Sequence, residues 1–128
     1  MNQEKKHAIL YVDDDEFSLR IFLNLFRRKY TVVTASSAQE ALRLFDEQSF
    51  DLIISDQQMP KMKGLQLLAI VKEINPLIPT ILLTGFSDYD VLKKALNEIG
   101  VHKCINKPFD PSSLSIIIDL AIQGYELN

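Results

Sequence analysis

The sequence predicts an α/β domain: a doubly wound, five-stranded parallel sheet covered by five helices. Two observations carry this. Short apolar blocks alternate with longer segments of helical spacing along the chain, the pattern of repeated βα units with right-handed crossovers. Three of the short blocks are nearly continuous hydrophobes, as strands buried on both faces of a parallel sheet require.

The first strand is Ala8 to Val12, stopped by Asp13-Asp14-Asp15. Residues 16–29 then space Leu19, Phe22, Leu25 and Phe26 on one helical face. The second strand is 30–34. Ser37 with Glu40 three residues on forms a capping box, and Ala38, Ala41, Leu42 and Phe45 give the second helix its apolar face. The third strand is 52–55. Leu67, Leu68, Val71 and Ile74 mark the third helix, which Pro76 and Pro79 end. The fourth strand runs from Thr80 to Thr84. Ser87 with Asp90 is a weaker cap ahead of Val91, Leu92, Ala95, Leu96 and Ile99. The fifth strand is 102–105. Asp110 then Pro111, a cap and a proline at the first helical position, open the fifth helix with its stripe Leu114, Ile117, Ile118, Ala121 and Tyr125. Ile116, Leu120 and Ile122 are left off that stripe, a surplus that points to a partner surface. No repeat or linker interrupts the pattern, so residues 1–128 read as one domain.

The balance of 14 Lys+Arg against 17 Asp+Glu gives a net charge of −3. That argues against nucleic-acid binding by bulk charge. A single cysteine, Cys104, excludes an internal disulfide framework and a multi-cysteine zinc site. No apolar run reaches the ~18 residues of a membrane span, and the polar start Met1 to His7 is no signal peptide. The expected location is the cytoplasm.

In open α/β sheets, ligands bind beyond the carboxyl ends of the strands. The first strand ends in Asp13-Asp14-Asp15, the third in Asp56, the fourth in Thr84-Gly85, and the fifth runs into Asn106-Lys107-Pro108. Carboxylates gathered on one edge repel, and two of them ~5 Å apart cost about 3 kcal/mol at an effective dielectric of ~20. A hard cation such as Mg²⁺ relieves this through oxygen ligands. Lys107 and the Thr84 hydroxyl suit phosphoryl oxygens, and a carboxylate beside the metal can itself be the nucleophile. The edge reads as a site for metal-assisted phosphoryl transfer onto an aspartate.

These residues resemble a known family. Val12-Asp13-Asp14-Asp15, the run from Asp56 through Met59-Pro60 to Gly64, Thr84-Gly85 and Lys107-Pro108-Phe109 are similar, in order and spacing, to the receiver domain of two-component response regulators. The resemblance implies a flavodoxin-like topology with strand order 2-1-3-4-5. It implies that Asp56 accepts a phosphoryl group from a sensor histidine kinase or histidine phosphotransfer protein. Asp14, Asp56 and the backbone carbonyl of Gln58 would hold Mg²⁺, for which Mn²⁺ can substitute, and Asp13 would act through a metal-bound water. Thr84 and Lys107 would hold the phosphoryl oxygens, and Lys107-Pro108 would be cis. It also implies catalysis limited to the domain's own phosphorylation and slow dephosphorylation. Partners would be a second copy, through the fourth helix, fifth strand and fifth helix, or an attached output domain.

The chain departs from the family pattern in three places. Cys104 stands where the family has the aromatic residue that swings inward on activation. Lys63 precedes Gly64 where Asp or Asn is common. Gln58 and Phe86 flank the path of a hydrolytic water. Simpler roles compete at some positions: Asp15 reads as a helix cap, Gly64 as a backbone requirement, and Cys104 as a packed strand residue. Two other functions are weighed. A haloacid-dehalogenase-like phosphatase would use Asp13, but Phe17 stands where that signature wants Thr or Val. A receiver-like module working without phosphorylation is the other, kept open by Cys104.

Overall fold

The computed structural model describes residues 5–85 and 89–127. Phe86 and the Ser87 cap lie outside the described residues, as do the side chains of Tyr89, Asp90, Val91 and Ala95.

Ten elements alternate in order: β1 (Ala8–Val12), α1 (Glu16–Phe26), β2 (Thr31–Ala35), α2 (Ala38–Glu47), β3 (Leu52–Asp56), α3 (Gly64–Ile74), β4 (Thr80–Thr84), α4 (Tyr89–Ile99), β5 (Lys103–Asn106) and α5 (Pro111–Glu126). The strands form one sheet in the expected order β2-β1-β3-β4-β5, and every neighbouring pair is parallel. The period of two along each strand divides the core. Ile9 and Tyr11, Leu52 and Ile54, and Ile81 and Leu83 pack with Leu19, Phe22 and Phe26 of α1 and Leu114 and Ile118 of α5. Leu10 and Val12, Ile53, and Leu82 pack with α2, α3 and Leu92 of α4. Burying each large aliphatic side chain contributes about 1.5–3 kcal/mol, which explains why the three central strands carry almost no polar residue before their last positions.

Element ends are where sequence and structure part. Helix α1 stops at Phe26, because Lys29 and Tyr30 both turn back to donate to the Phe26 carbonyl. Tyr30 is therefore a buried pre-strand residue, and β2 starts one position later than its apolar pattern suggests. Strand β5 is shifted by one residue in the same way. Three apolar assignments change. Leu25 is 46% exposed, being turned off the Leu19–Phe22–Phe26 face. Ile74 is 62% exposed, as the last residue of its helix. Ile122, read as surplus, is buried in the core beside Ile118 and Ala121, so the apolar face of α5 is wider than a single stripe.

Candidate functional site

The sequence places a polar residue at the carboxyl end of each strand that ends near the site, and parallel pairing brings those ends to one edge. Asp13 follows β1 and donates its backbone N–H to the Ala35 carbonyl at 3.1 Å. Asp56 is the last residue of β3 and Thr84 the last of β4. The Lys107 N–H bonds the Thr84 carbonyl at 2.9 Å, and Lys107-Pro108 is cis.

Carboxylate oxygens of Asp13, Asp14 and Asp56 all lie within 4.8 Å of one another. Asp13 and Asp56 are buried, whereas Asp14 faces solvent. The Lys107 ammonium sits 2.9 Å from Asp56 Oδ1 and 3.6 Å from Asp13 Oδ2. Two of the three carboxylates thus pair with the Lys107 ammonium, and Asp14 stands beside them without an ion pair among the described residues. Burial pushes the Asp56 carboxyl above the usual range, with Asp13 and Asp14 adding to the rise against the bond from Lys107. Burial alone would lower the Lys107 pKa, but its bond to Asp56 and the nearby Asp13 charge raise it. An all-oxygen donor set with surplus negative charge fits a hard divalent cation.

The remaining expected residues fall as follows. Thr84 is buried, and its hydroxyl donates to the Gly85 carbonyl at 3.3 Å. Gln58 lies on the loop after β3, where its side-chain oxygen accepts from the Lys63 ammonium at 2.9 Å. Lys63 thus engages the loop, with no carboxylate within ion-pair distance among the described residues. Asp15 caps α1, accepting from the Phe17 N–H and the Ser18 hydroxyl. Gly64 has backbone reasons for being glycine: a Cβ there would meet the Asp56 carbonyl oxygen at 2.2 Å. Cys104 is half-buried among apolar neighbours, and burial pushes its thiol up, as befits a packed residue.

Two residues escape the sequence argument. Tyr11 donates from its hydroxyl to Asp13 Oδ2 at 3.0 Å. Gln57 is buried, and its side-chain oxygen accepts from the Leu65 N–H at 2.8 Å, which holds the start of α3 beside the site. The signal for Tyr11 was present, because residues two apart on a strand share a face.

The chain matches the family described as the response regulator receiver domain over residues 9–119. It is 36% identical over 124 residues to the transcriptional regulatory protein GlrR of Escherichia coli, covering 96% of this chain and 28% of that protein. It is 32% identical over 123 residues to the DNA-binding transcriptional regulator NtrC of Escherichia coli, covering 94% of this chain and 26% of that protein. The chain thus spans about a quarter of the length of these relatives. Among solved structures, a response regulator receiver domain protein from Clostridium thermocellum superposes with a TM-score of 0.89 at 37% identity, covering 94% of this chain and 98% of that one. The signal receiver domain of an HD domain-containing protein from Pseudomonas fluorescens gives a TM-score of 0.88 at 31% identity, covering 98% and 93%. These matches decide against the haloacid-dehalogenase alternative and against a catalytic enzyme family. With this fold, this acidic edge and a family match over most of its length, the chain belongs to the receiver domains of two-component response regulators.

Proposed function

We propose that this receiver accepts a phosphoryl group on Asp56 from a sensor histidine kinase or histidine phosphotransfer protein in the cytoplasm. The observation that carries the reading is the Lys107 ammonium 2.9 Å from Asp56 Oδ1, beside two further carboxylates. An Asp56 carboxylate oxygen attacks the phosphorus, the bond from phosphorus to the donor nitrogen breaks, and its electron pair leaves with the donor. Lys107 and the Thr84 hydroxyl hold phosphoryl oxygens, a positioning role that dominates phosphoryl transfer. Asp14, Asp56 and the Gln58 carbonyl would hold Mg²⁺ directly, and Asp13 through water. When bound, Mg²⁺, or Mn²⁺ in its place, offsets negative charge on the carboxylates and on the transferring group. The domain catalyses only its own phosphorylation and slow dephosphorylation.

The output is a change in protein contacts, through a homodimer over α4, β5 and α5 or through an attached output module. The second is supported by relatives that are transcriptional regulators about four times as long. Residues 1–128 act as one receiver unit in either case, and the overall acidity gives this domain no direct role on nucleic acid. Incubation with acetyl phosphate and Mg²⁺ should add one phosphoryl mass. Asp56→Asn and chelation of the metal should each abolish the gain, and undiminished labelling of Asp56→Asn would refute the assignment.

A further inference from the structure

We infer that Tyr11 is a positioning residue for this site: its hydroxyl holds the Asp13 carboxylate and thereby keeps Lys107 on Asp56. The inference rests on the reading of the acidic edge as a metal-assisted phosphoryl acceptor. The Tyr11 ring is buried and stacked on Phe22, with centroids 3.9 Å apart and planes 3° from parallel. That packing aims the hydroxyl, which donates to Asp13 Oδ2 at 3.0 Å, while the Asp15 N–H donates to Asp13 Oδ1 at 3.0 Å. Both oxygens of the buried carboxylate are thus fixed by donors within the chain.

The consequence concerns Lys107. Its ammonium is 3.6 Å from the same Asp13 Oδ2 that Tyr11 occupies, and 2.9 Å from Asp56 Oδ1. Tyr11 and Lys107 share one oxygen, and the phenol is the nearer of the two. With a neutral donor holding that oxygen at 3.0 Å, the ammonium keeps its shorter contact with Asp56. Tyr11 also walls an open cavity of about 500 Å³ whose lining includes Lys107 as well as Ile21, Leu25 and Phe109. Removing the hydroxyl strips Asp13 Oδ2 of its nearest donor, and Lys107 is the cation within reach. The ammonium then draws toward Asp13 and away from its 2.9 Å seat on Asp56, both carboxylates lose their set positions, and metal binding weakens.

Tyr11→Phe keeps the ring and its stack, so the test separates the hydroxyl from packing. The readout is Mn²⁺ affinity of the unphosphorylated protein, followed by electron paramagnetic resonance, with melting temperature measured alongside. Tyr11→Phe should bind Mn²⁺ on the order of tenfold more weakly, as loss of a supporting hydrogen bond around a metal site does. It should melt near the parent. In a Lys107→Gln background the same substitution should change affinity by less than about twofold, because the ammonium that would shift is gone. A Tyr11→Phe protein with parental Mn²⁺ affinity, or equal losses with and without Lys107, would overturn the inference. A parent that binds no Mn²⁺ would overturn the acceptor reading and this inference with it, an outcome distinct from a parent that binds and a variant that binds equally well.

Discussion

Gly64 lies directly against the backbone of the candidate phosphoacceptor: a Cβ on it would stand 2.2 Å from the Asp56 carbonyl oxygen and 2.9 Å from its carbonyl carbon. The start of α3 and the end of β3 are in contact through bare backbone. The Gly64 N–H also bonds the Gln57 carbonyl at 3.1 Å, which ties the start of α3 to the residue that follows Asp56.

Gly64→Ala should therefore strain the site. The nearest opposing atom, the Asp56 carbonyl oxygen, belongs to backbone, which cannot rotate away as the Leu82 side chain also met there could. Overpacking of this kind costs about 1–3 kcal/mol. Urea denaturation should show that loss, and labelling by acetyl phosphate should slow because relaxation displaces Asp56. A variant as stable and as fast as the parent would show that α3 adjusts freely.

The three consecutive aspartates should separate by phenotype. Asp15 caps α1 through Phe17 and Ser18, and those bonds hold its carboxyl below the usual range. Asp15→Ala should lower the melting temperature and leave Mn²⁺ affinity at the parental value. Asp14 shares the acidic cluster. Asp14→Asn should weaken Mn²⁺ binding sharply while the metal-free protein melts no lower, since one repelling charge is gone. Paired thermal melts and metal titrations would check both, and the reverse pattern would exchange the two roles.

Much of this was legible in the chain. The central strands announce themselves because both their faces are buried, so Leu10, Ile53, Ile54, Ile81 and Leu82 leave no room for polar residues. Asp56 and Lys107 were legible because parallel strands bring their carboxyl ends to one edge. The boundaries of α1 and β2 were not. Tyr30 fits a strand by type, yet its N–H is taken by Phe26 and its hydroxyl by Asp119, a contact 89 residues away that no local pattern encodes. Ile122 was misread because a single helical stripe underestimates a helix packed over a sheet with Tyr30, Phe26 and Ile118 around it. The period of two puts Tyr11 on the face of Asp13, but the bond from its hydroxyl depends on the rotamer of Asp13, which the sequence does not encode.

The tie between Asp119 of α5 and the end of α1 should make stability depend on acid. Asp119 accepts from the Tyr30 hydroxyl at 2.6 Å and pairs with the Lys29 ammonium. Burial opposes the charge, but the bonds from Lys29 and Tyr30 outweigh it and hold the carboxyl below its usual 3.8. A folded-state pKa below the unfolded one means stabilisation that is full above the unfolded value and fades as pH falls through the folded value. Asp119→Asn should cost about 1 kcal/mol at neutral pH, a value kept small by solvent screening of this half-exposed pair. The gap between parent and variant should narrow below about pH 4. Denaturation at pH 7 and pH 3 would measure it, and a gap independent of pH would assign the effect to shape alone.

The outer face of α5 should carry the proposed contact with a second copy. Ile116 is 60% exposed and Leu120 is 62% exposed. With Leu127, also exposed, they fall within about 40° of one another at 100° per residue. The rest of the helix's large aliphatic residues, Leu114, Ile118 and Ile122 among them, are already spent on the core. Leaving the exposed pair in water forgoes roughly 1.5–3 kcal/mol for each side chain relative to full burial. Neither is needed for folding, so Ile116→Glu with Leu120→Glu should preserve the melting temperature, whereas Ile122→Glu would place a charge in the core and unfold the domain. Sedimentation of the parent, with and without beryllofluoride, should show self-association that strengthens when the phosphoryl mimic is bound, as a ligand that favours one conformation shifts the population toward it. The double variant should stay monomeric in both states. A parent that remains monomeric at high concentration with the mimic bound would exclude the homodimer and leave the same face to an attached output module.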